Sequence, residues 1–398
     1  MSGFFCYFYF VKIFFVDCFD AIRSLDTLTF PLTSFDKKSL YPFTFVKSCL
    51  DLRVGILTLR EKWHRLASTF NLELAEGNSC EDGVVWVTKH VVPSAVLLQA
   101  VLAMEEGDIL RQDEMIIAWR YHKEGALRLK HADDTVSLLR GVEDLFVLTG
   151  AEIVHDFNLL AQKTAVEAIS PTNQLLGTDF YVAEKVSMEC ATLNSTTGPI
   201  YIDEGATIME GAHLRGPLYL GKGAVVKMGA TIYGNVSVGK QSVVGGEIGN
   251  SVIGDFSAKG HHGYLGCSVV GDWCNFGAGT SNSNLKNNLK TVSIYDYSLQ
   301  DFRDTGLLKC GVFIGDYTRT GINSSFNTGT VIGIASMLAD TSFYAKFVPS
   351  FAWLFNGDTQ IYKFDKFMEY LETLYMSKNE ELPERLTREL NQLNKKYN

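Results

Sequence analysis

From Ile202 onward an aliphatic residue returns at every sixth position: Ile202, Ile208, Leu214, Leu220, Val226, Ile232, Val238 and Val244 stand in one strict register. Four positions after each comes Ala206, Ala212, Leu218, Ala224, Ala230, Val236, Ser242 or Ile248, most of them small. Such a period, with a small residue in each repeat, calls for a fold that returns one side of the chain inward every six residues. A triangular coil of three short parallel strands per turn does so, with an inward aliphatic residue on each strand and glycine in the corners. This part of the chain is therefore predicted to be a left-handed parallel β-helix of hexapeptide repeats. The register slips around Asn250, resumes with "VIGDFSA", and breaks again over "SAKGHHGYLGCSVVGDWCNFGAGTSNSN" (257–284). It returns at Val270 and Phe276, then at Ile314, Thr320, Phe326, Ile332 and Leu338, which predicts excursions at about 257–264 and 284–309. A break in a regular solenoid frees side chains to leave the wall, so 257–284 is the candidate site.

Glycine usage divides the rest. Of 35 glycines about 25 fall between Gly198 and Gly333, whereas the first 150 residues mix apolar and charged types in the α/β manner. The pattern predicts an α/β domain over 1–154, a helix and connector over 155–197, the β-helix over 198–342 and a helical extension over 343–398, split by Pro383. Apolar residues at helical spacing mark that tail as a packing or oligomer-contact element. Within the first part, "VVWVTKHVVP" and "EMIIAWRYH" read as strands, "PSAVLLQAVLAMEEGD" as an amphipathic helix and "VGILTLREKWHRLA" as a strand or turn entering a helix.

A chain of 398 residues, 46% hydrophobic, can bury two cores, and a formal charge of -9 leaves no basic footprint for a phosphate backbone, which argues against nucleic acid as a partner. The eight cysteines are scattered without a Cys-x-x-Cys pair, as in a reduced, cytoplasmic protein with no cysteine-held metal. The opening "MSGFFCYFYFVKIFFVDCFD" lacks the basic region and cleavage site of a signal peptide, and Lys12 splits a run too short to span a bilayer. It reads as a buried first strand, Lys12 to Asp17, without stable membrane insertion; a membrane-associated segment is the other reading.

A hexapeptide coil that carries "GHHGYLG", "VGDW", "FGAGT" and "SNSN" resembles the acetyltransferase domain of the bifunctional N-acetylglucosamine-1-phosphate uridylyltransferase/glucosamine-1-phosphate N-acetyltransferase family. It is closer still to the divergent, GlmU-like form, in which "GPIYI", "IMEGA", "RGP", "VVKMGA", "NSVIG", "LKNN", "DTGL" and the "PSF" of 349–351 follow in the same order. The resemblance covers roughly 190–355 and, more weakly, "YPFTFVKSCLDLRVGILTLREKW" (41–63). It implies an acetyl-CoA-dependent N-acetylation of an amino sugar 1-phosphate joined to nucleotidyl transfer from UTP with Mg²⁺, in a homotrimer whose acyl-donor groove lies between subunits.

Acetyl transfer to an amine needs a base, donors for the tetrahedral oxyanion and a groove for the acyl carrier. The resemblance places His261 as the catalytic base, Tyr264 as a substrate-contacting residue and Asn284 near the acetyl and sugar groups. Imidazole is the side chain suited to general-base work near neutrality. Read without the family, His261 and His262 are equally well loop residues contacting backbone, Tyr264 a ring packed on the coil, and Asn282 and Asn284 turn residues; His262 has no assigned role. Cys267 and Cys274 read as core. Lys259 and Lys227, with Arg215, are either phosphate contacts or solvated charges.

The chain also departs from the family. The arginine and lysine that usually hold the sugar phosphate fall at about Thr231 and Asn250, although the neighbouring glutamate persists as Glu247. The first domain lacks the glycine-rich phosphate loop, since "KIFFVDCFDAIRSLDTLTF" contains no glycine; Lys47, Arg53 and Arg23 are the phosphate contacts it could offer. Two readings stand: an enzyme of UDP-N-acetylglucosamine-type synthesis, or a non-catalytic, regulatory sugar-nucleotide-binding relative. A zinc-dependent carbonic anhydrase would need three converging histidines, and the repeats hold only His213, His261 and His262.

Overall fold

The computed structural model describes residues 12–17, 36–70, 72–76, 84–122, 127–133, 136–160, 169–340 and 343–397. Arg23 and the first eleven residues lie outside them. The chain forms two compact units, one of residues 1–39, 49–52 and 58–140, the other of 40–48, 53–57 and 141–398.

In the first unit β1 (Lys12–Val16), α1 (Leu59–Phe70), β2 (Glu73–Glu76), β3 (Val85–Thr88), α2 (Ala95–Leu102), β4 (Asp108–Gln112), β5 (Met115–Arg120) and β6 (Arg128–His131) follow in order. The sheet runs β2-β1-β3-β5-β4-β6, parallel from β2 to β3, with β5 antiparallel to both of its neighbours. The aromatic opening segment thus supplies a buried strand inside the sheet. Phe14, Val16, Trp86, Ile109 and Trp119 form one face of its core. On α1, Trp63 packs edge-on against Phe15 at 5.1 Å, and the Ser94 hydroxyl caps α2 by accepting from the Leu97 N–H.

The second unit is the parallel β-helix. Its strands pair coil on coil, as in Leu193↔Leu214, Ile202↔Leu220 and Ile208↔Val226, and the inward residues from Ile202 to Val244 are all buried. At roughly 1.5–3 kcal/mol for each large aliphatic side chain, this stack is the main source of the unit's stability. The coils start at Gln174–Leu176, earlier than glycine usage predicts, because Lys185 and Cys190 take the left-handed corner conformation, at φ 60 and 55°, that glycine supplies elsewhere.

The predicted excursion at 284–309 is an antiparallel hairpin of Ser293–Asp296 and Asp301–Asp304. Arg303 anchors it, donating to both Glu143 carboxylate oxygens at 2.6 and 2.7 Å and to Asp296 at 2.6 Å.

One wall is covered by α3 (Asp144–Leu160), which buries the outward residues Ser237, Val252, Val269 and Phe313. Gly150 permits the approach, since a Cβ there would collide with the Asn235 side chain. Asp156 on α3, fully buried, accepts from the Ile56 and Leu57 N–H groups at 2.9 and 3.1 Å. The boundary predicted at 154 therefore falls differently: 40–48, 53–57 and α3 belong with the coils.

One corner carries Gly205 and Gly223, both with positive φ, and then in successive coils Gln241, Phe256, Trp273, Tyr317, Ala335 and Phe351 at φ between 55 and 65°. Left-handed backbone costs a non-glycine residue roughly 1–2 kcal/mol, and here stacking offsets it. Phe256 lies on Trp273 at 4.1 Å, Trp273 on Tyr375 at 4.6 Å, and the Tyr317 and Tyr375 hydroxyls are 3.0 Å apart. Through this corner α4 (Phe364–Met376) and α5 (Glu384–Tyr397) pack, with Phe367, Leu371, Leu386 and Leu390 completing the cluster. The tail is thus a packing element. No helix among the described residues is long and apolar enough to cross a membrane.

Candidate functional site

Between the strands Ala258–Lys259 and Tyr264–Val270 the chain bends at His261, His262 and Gly263, and both imidazoles are exposed. Among the described residues nothing hydrogen-bonds the His261 ring. The loop is held through its backbone instead: the His262 carbonyl accepts from the Gly279 N–H at 3.2 Å, and Gly263 turns with φ 117°.

Tyr264 follows at once. Its N–H donates to the Ser281 hydroxyl at 3.0 Å, and its ring lies across Gly266 so that Asn284 Nδ2 donates to the phenol oxygen at 2.8 Å. The same Asn284 amide reaches the Cys267 sulfur at 3.5 Å. Burial pushes the Tyr264 phenol up from its ordinary value, so it stays protonated at neutral pH. With its oxygen already accepting from Asn284, its own proton is left to donate elsewhere. Glu247, exposed, stands opposite Tyr264 on the adjoining strand, with Thr231 below it and His213 below that. At ~4.8 Å per strand His213 is about 14 Å from Tyr264, so the histidines of the coils do not converge on one point.

Lys227 lies beside the loop, its stem against the faces that Gly245 and Gly260 leave open. Among the described residues no hydrogen bond or ion pair engages its ammonium.

Lys259 differs from expectation. It pairs in register with Val244, which places it at an inward, aliphatic position of the coil, 2% exposed. Its ammonium donates to the carbonyls of His261 at 2.6 Å, His262 at 3.2 Å and Gly245 at 3.5 Å, and burial pulls its pKa down to about 8. It is neither solvated nor open to a phosphate.

Lys47 and Arg53, expected as phosphate contacts of the first domain, sit instead on the β-helix. Lys47 bridges Asp272 at 2.6 Å and Asp316 at 3.2 Å, and Arg53 faces Asp255 at 3.5 Å. The three aspartates form a column, each of the upper two accepting the N–H of the one in the coil below at 2.8 Å. Burial works against the Lys47 charge, but the two carboxylates hold its pKa above the ordinary lysine range. The signal for this column was present as a repeated Gly-Asp-aromatic triplet at 254–256, 271–273 and 315–317.

The structure thus brings Tyr264, Asn284 and Glu247 together on one wall, sets His261, Lys227 and Lys259 around the neighbouring loop, and removes Lys47 and Arg53. Sequence reasoning missed Tyr233, which is 47% exposed and packs beside Gly249. It also missed Gly266, whose lack of a side chain lets Tyr264 lie flat. Gly266→Ala is expected to displace the phenol, break the Asn284 contact and lower turnover on the order of 10²-fold, measured as kcat against thermal stability. Turnover within twofold of wild type would show that the flat ring is immaterial.

In the first unit, Asp17 beyond the end of β1 and Glu76 at the end of β2 flank the Lys89 ammonium at 3.2 and 3.7 Å. Beside them a cavity of about 240 Å³ is lined by Phe15, Arg60, Trp63, His64 and Leu74.

Residues 34–165 match the family model described as sugar nucleotidyl transferase. Over 174 residues, 43% of this chain and 41% of the relative, the sequence is 37% identical to the bifunctional protein GlmU of Methanococcus maripaludis. Over 88 residues, 22% of this chain and 21% of the relative, it is 40% identical to the bifunctional sugar-1-phosphate nucleotidylyltransferase/acetyltransferase of Sulfurisphaera tokodaii. The matched stretch spans about two fifths of the first relative's length or less in the others. A solved structure, the polySia-specific acetyltransferase NeuO, is 16% identical with a TM-score of 0.25, covering 48% of this chain and 86% of that one. The GlmU-like resemblance read from the coils and from 41–63 is matched by these relatives.

Proposed function

We propose that this chain is a bifunctional enzyme of amino-sugar nucleotide synthesis, which N-acetylates an amino sugar 1-phosphate, glucosamine 1-phosphate, from acetyl-CoA at the His261 loop. One observation carries the reading: the exposed His261 imidazole, unengaged among the described residues, stands at the break in the solenoid three residues before Tyr264, whose phenol oxygen Asn284 occupies and whose proton is therefore available. In this mechanism His261 takes the proton from the amine as its nitrogen bonds the acetyl carbon, Tyr264 donates toward an oxygen of the substrate, and the C–S bond breaks to release CoA, whose sulfur receives the proton from His261. Lys227, beside the loop and unengaged among the described residues, meets the sugar phosphate in place of the basic residues absent at Thr231 and Asn250, and Glu247 orients the sugar by its hydroxyls. The acyl-donor groove completes itself against a second copy in a cytoplasmic homotrimer.

For the first unit we propose nucleotidyl transfer from UTP. Mg²⁺ would arrive with the nucleotide phosphates, because Asp17 and Glu76 beside the cavity are already paired, both with Lys89 and Glu76 also with Arg60, and these two cations are what the described residues offer the phosphates. When bound, Mg²⁺ would neutralise charge on the nucleotide phosphates. The second reading, a sugar-nucleotide-binding relative inactive in this unit, is favoured by one observation: Lys47 and Arg53 are committed to the aspartate column.

Two assays separate these. Thiol release from acetyl-CoA across a panel of amino-sugar phosphates is expected to respond to glucosamine 1-phosphate; no turnover with any acceptor would sink the acetyltransferase. Mg²⁺-dependent pyrophosphate release from UTP and N-acetylglucosamine 1-phosphate is expected from the first unit, and its absence favours the second reading.

A further inference from the structure

A charged side chain inside a solenoid core needs a reason. In the coil below Lys259, the same register position is Val244, and Val226 fills it one coil lower. A lysine there forfeits apolar packing and takes an ammonium out of water, a cost that a methionine of similar length would not carry. The ammonium is spent on one structure only, the bend that carries His261: two of its three acceptors are the His261 and His262 carbonyls, and the third is Gly245 beneath them.

We infer that Lys259 is a positioning residue, an internal strut that fixes the backbone of the His261 bend and thereby aims the imidazole at the acceptor amine. The inference rests on the acetyltransferase reading of this site. An exposed ring on an unsupported bend would sample many orientations, whereas charge-assisted bonds to the carbonyl of the ring's own residue leave chiefly its side-chain torsions free. The titratable and charged groups around the bend are the His261 and His262 rings on it, Lys227 along Gly245 and Gly260, and Tyr264 with Glu247 on the adjoining strands. None supplies an ion pair to the ammonium, and burial alone lowers its pKa to about 8.

The sign of the pH effect follows. A lysine whose folded pKa lies below its unfolded value is penalised while charged, and the penalty is relieved as pH rises from about 8 through the ordinary lysine range. The fold as a whole therefore gains from deprotonation while the bend loses a donor and its charge. Activity is expected to fall above pH 8 without a parallel fall in thermal stability.

The test is Lys259→Met in the full chain. Expected are a kcat lower on the order of 10²-fold, a KM for acetyl-CoA within about twofold of wild type, no loss of thermal stability, and no alkaline limb near pH 8. Amide hydrogen exchange at 260–264 is expected to quicken while the coils on either side keep their protection. Wild-type kcat in the variant, or unchanged exchange at 260–264, overturns the strut. A loss of activity that merely tracks a lowered melting temperature also overturns it, since that is a plain core defect. Should wild type acetylate no acceptor, the enzymatic reading fails on its own, and the exchange measurement still decides whether Lys259 holds the bend.

Discussion

His261→Gln is expected to lower acetyl transfer to glucosamine 1-phosphate by about 10²–10⁴-fold, the usual worth of a positioned general base. Glutamine keeps size and hydrogen bonding at the exposed bend but cannot accept a proton near neutrality. The His261 ring is exposed and hydrogen-bonds to nothing among the described residues, so the melting temperature should be unchanged, which separates this variant from a folding defect. Free thiol released per enzyme at saturating acetyl-CoA is the measurement. A loss below about threefold would mean that the amine arrives neutral and needs no base here, because true general-base variants lie far outside that range. His262→Gln is the internal control. Its ring, like that of His261, is exposed, and only its carbonyl is engaged.

The second large effect is on stability. Lys47→Met leaves Asp272 and Asp316 facing each other on adjacent coils with no cation between them. Removing one partner of a buried ion pair costs about 3–5 kcal/mol, and the 19% exposure of the Lys47 side chain places the expectation near the lower end. A loss of about 3 kcal/mol corresponds to a melting temperature lower by roughly 6–12 °C for a unit of this size.

The pH dependence of the loss has a definite sign. Lys47 holds Asp272 below the ordinary carboxylate range against the cost of burial, so its contribution is present at neutral pH and is lost as pH falls. Asp316 runs the other way: burial raises it to about 6 despite Lys47, so its contribution is present in acid and is lost as pH rises through 6. Without Lys47 both carboxyls protonate more readily. The variant's deficit should therefore be largest near pH 7.5 and shrink toward pH 5, by thermal or urea unfolding at each pH. Equal melting temperatures for variant and wild type at pH 7.5 would show that the column needs no counter-charge.

The correction to Lys47 and Arg53 shows where one-dimensional reading stops. Both lie in "YPFTFVKSCLDLRVGI", a segment whose resemblance pointed to phosphate chemistry in the first domain. Their partners, Asp255, Asp272 and Asp316, lie more than 200 residues away, and no spacing rule connects them. The Gly-Asp-aromatic triplets could have flagged the column, because an acidic residue repeated at one corner of stacked coils must sit above its own copy. Lys259 is the opposite case. The slipped register at Asn250 hid the fact that it occupies the place of Val244 one coil on, and a lysine next to two histidines looked like part of the surface.

What the sequence determined by itself is the coil. A six-residue period of aliphatic residues with small residues and glycine at the corners is met by turning the chain after every short strand, so the β-helix and its excursions near His261 and at 284–309 were legible from spacing, whereas the hairpin within the second was not. Tyr264 and Asn284, which the resemblance paired near the substrate, do meet, the Asn284 amide donating to the Tyr264 phenol oxygen. Only the tertiary structure decided which charges face in. Whether a lysine meets water, a carboxylate or a carbonyl depends on what stacks one coil above and below it. That neighbour is set by the length of each intervening turn, 15 residues from Val244 to Lys259 and 44 from Asp272 to Asp316.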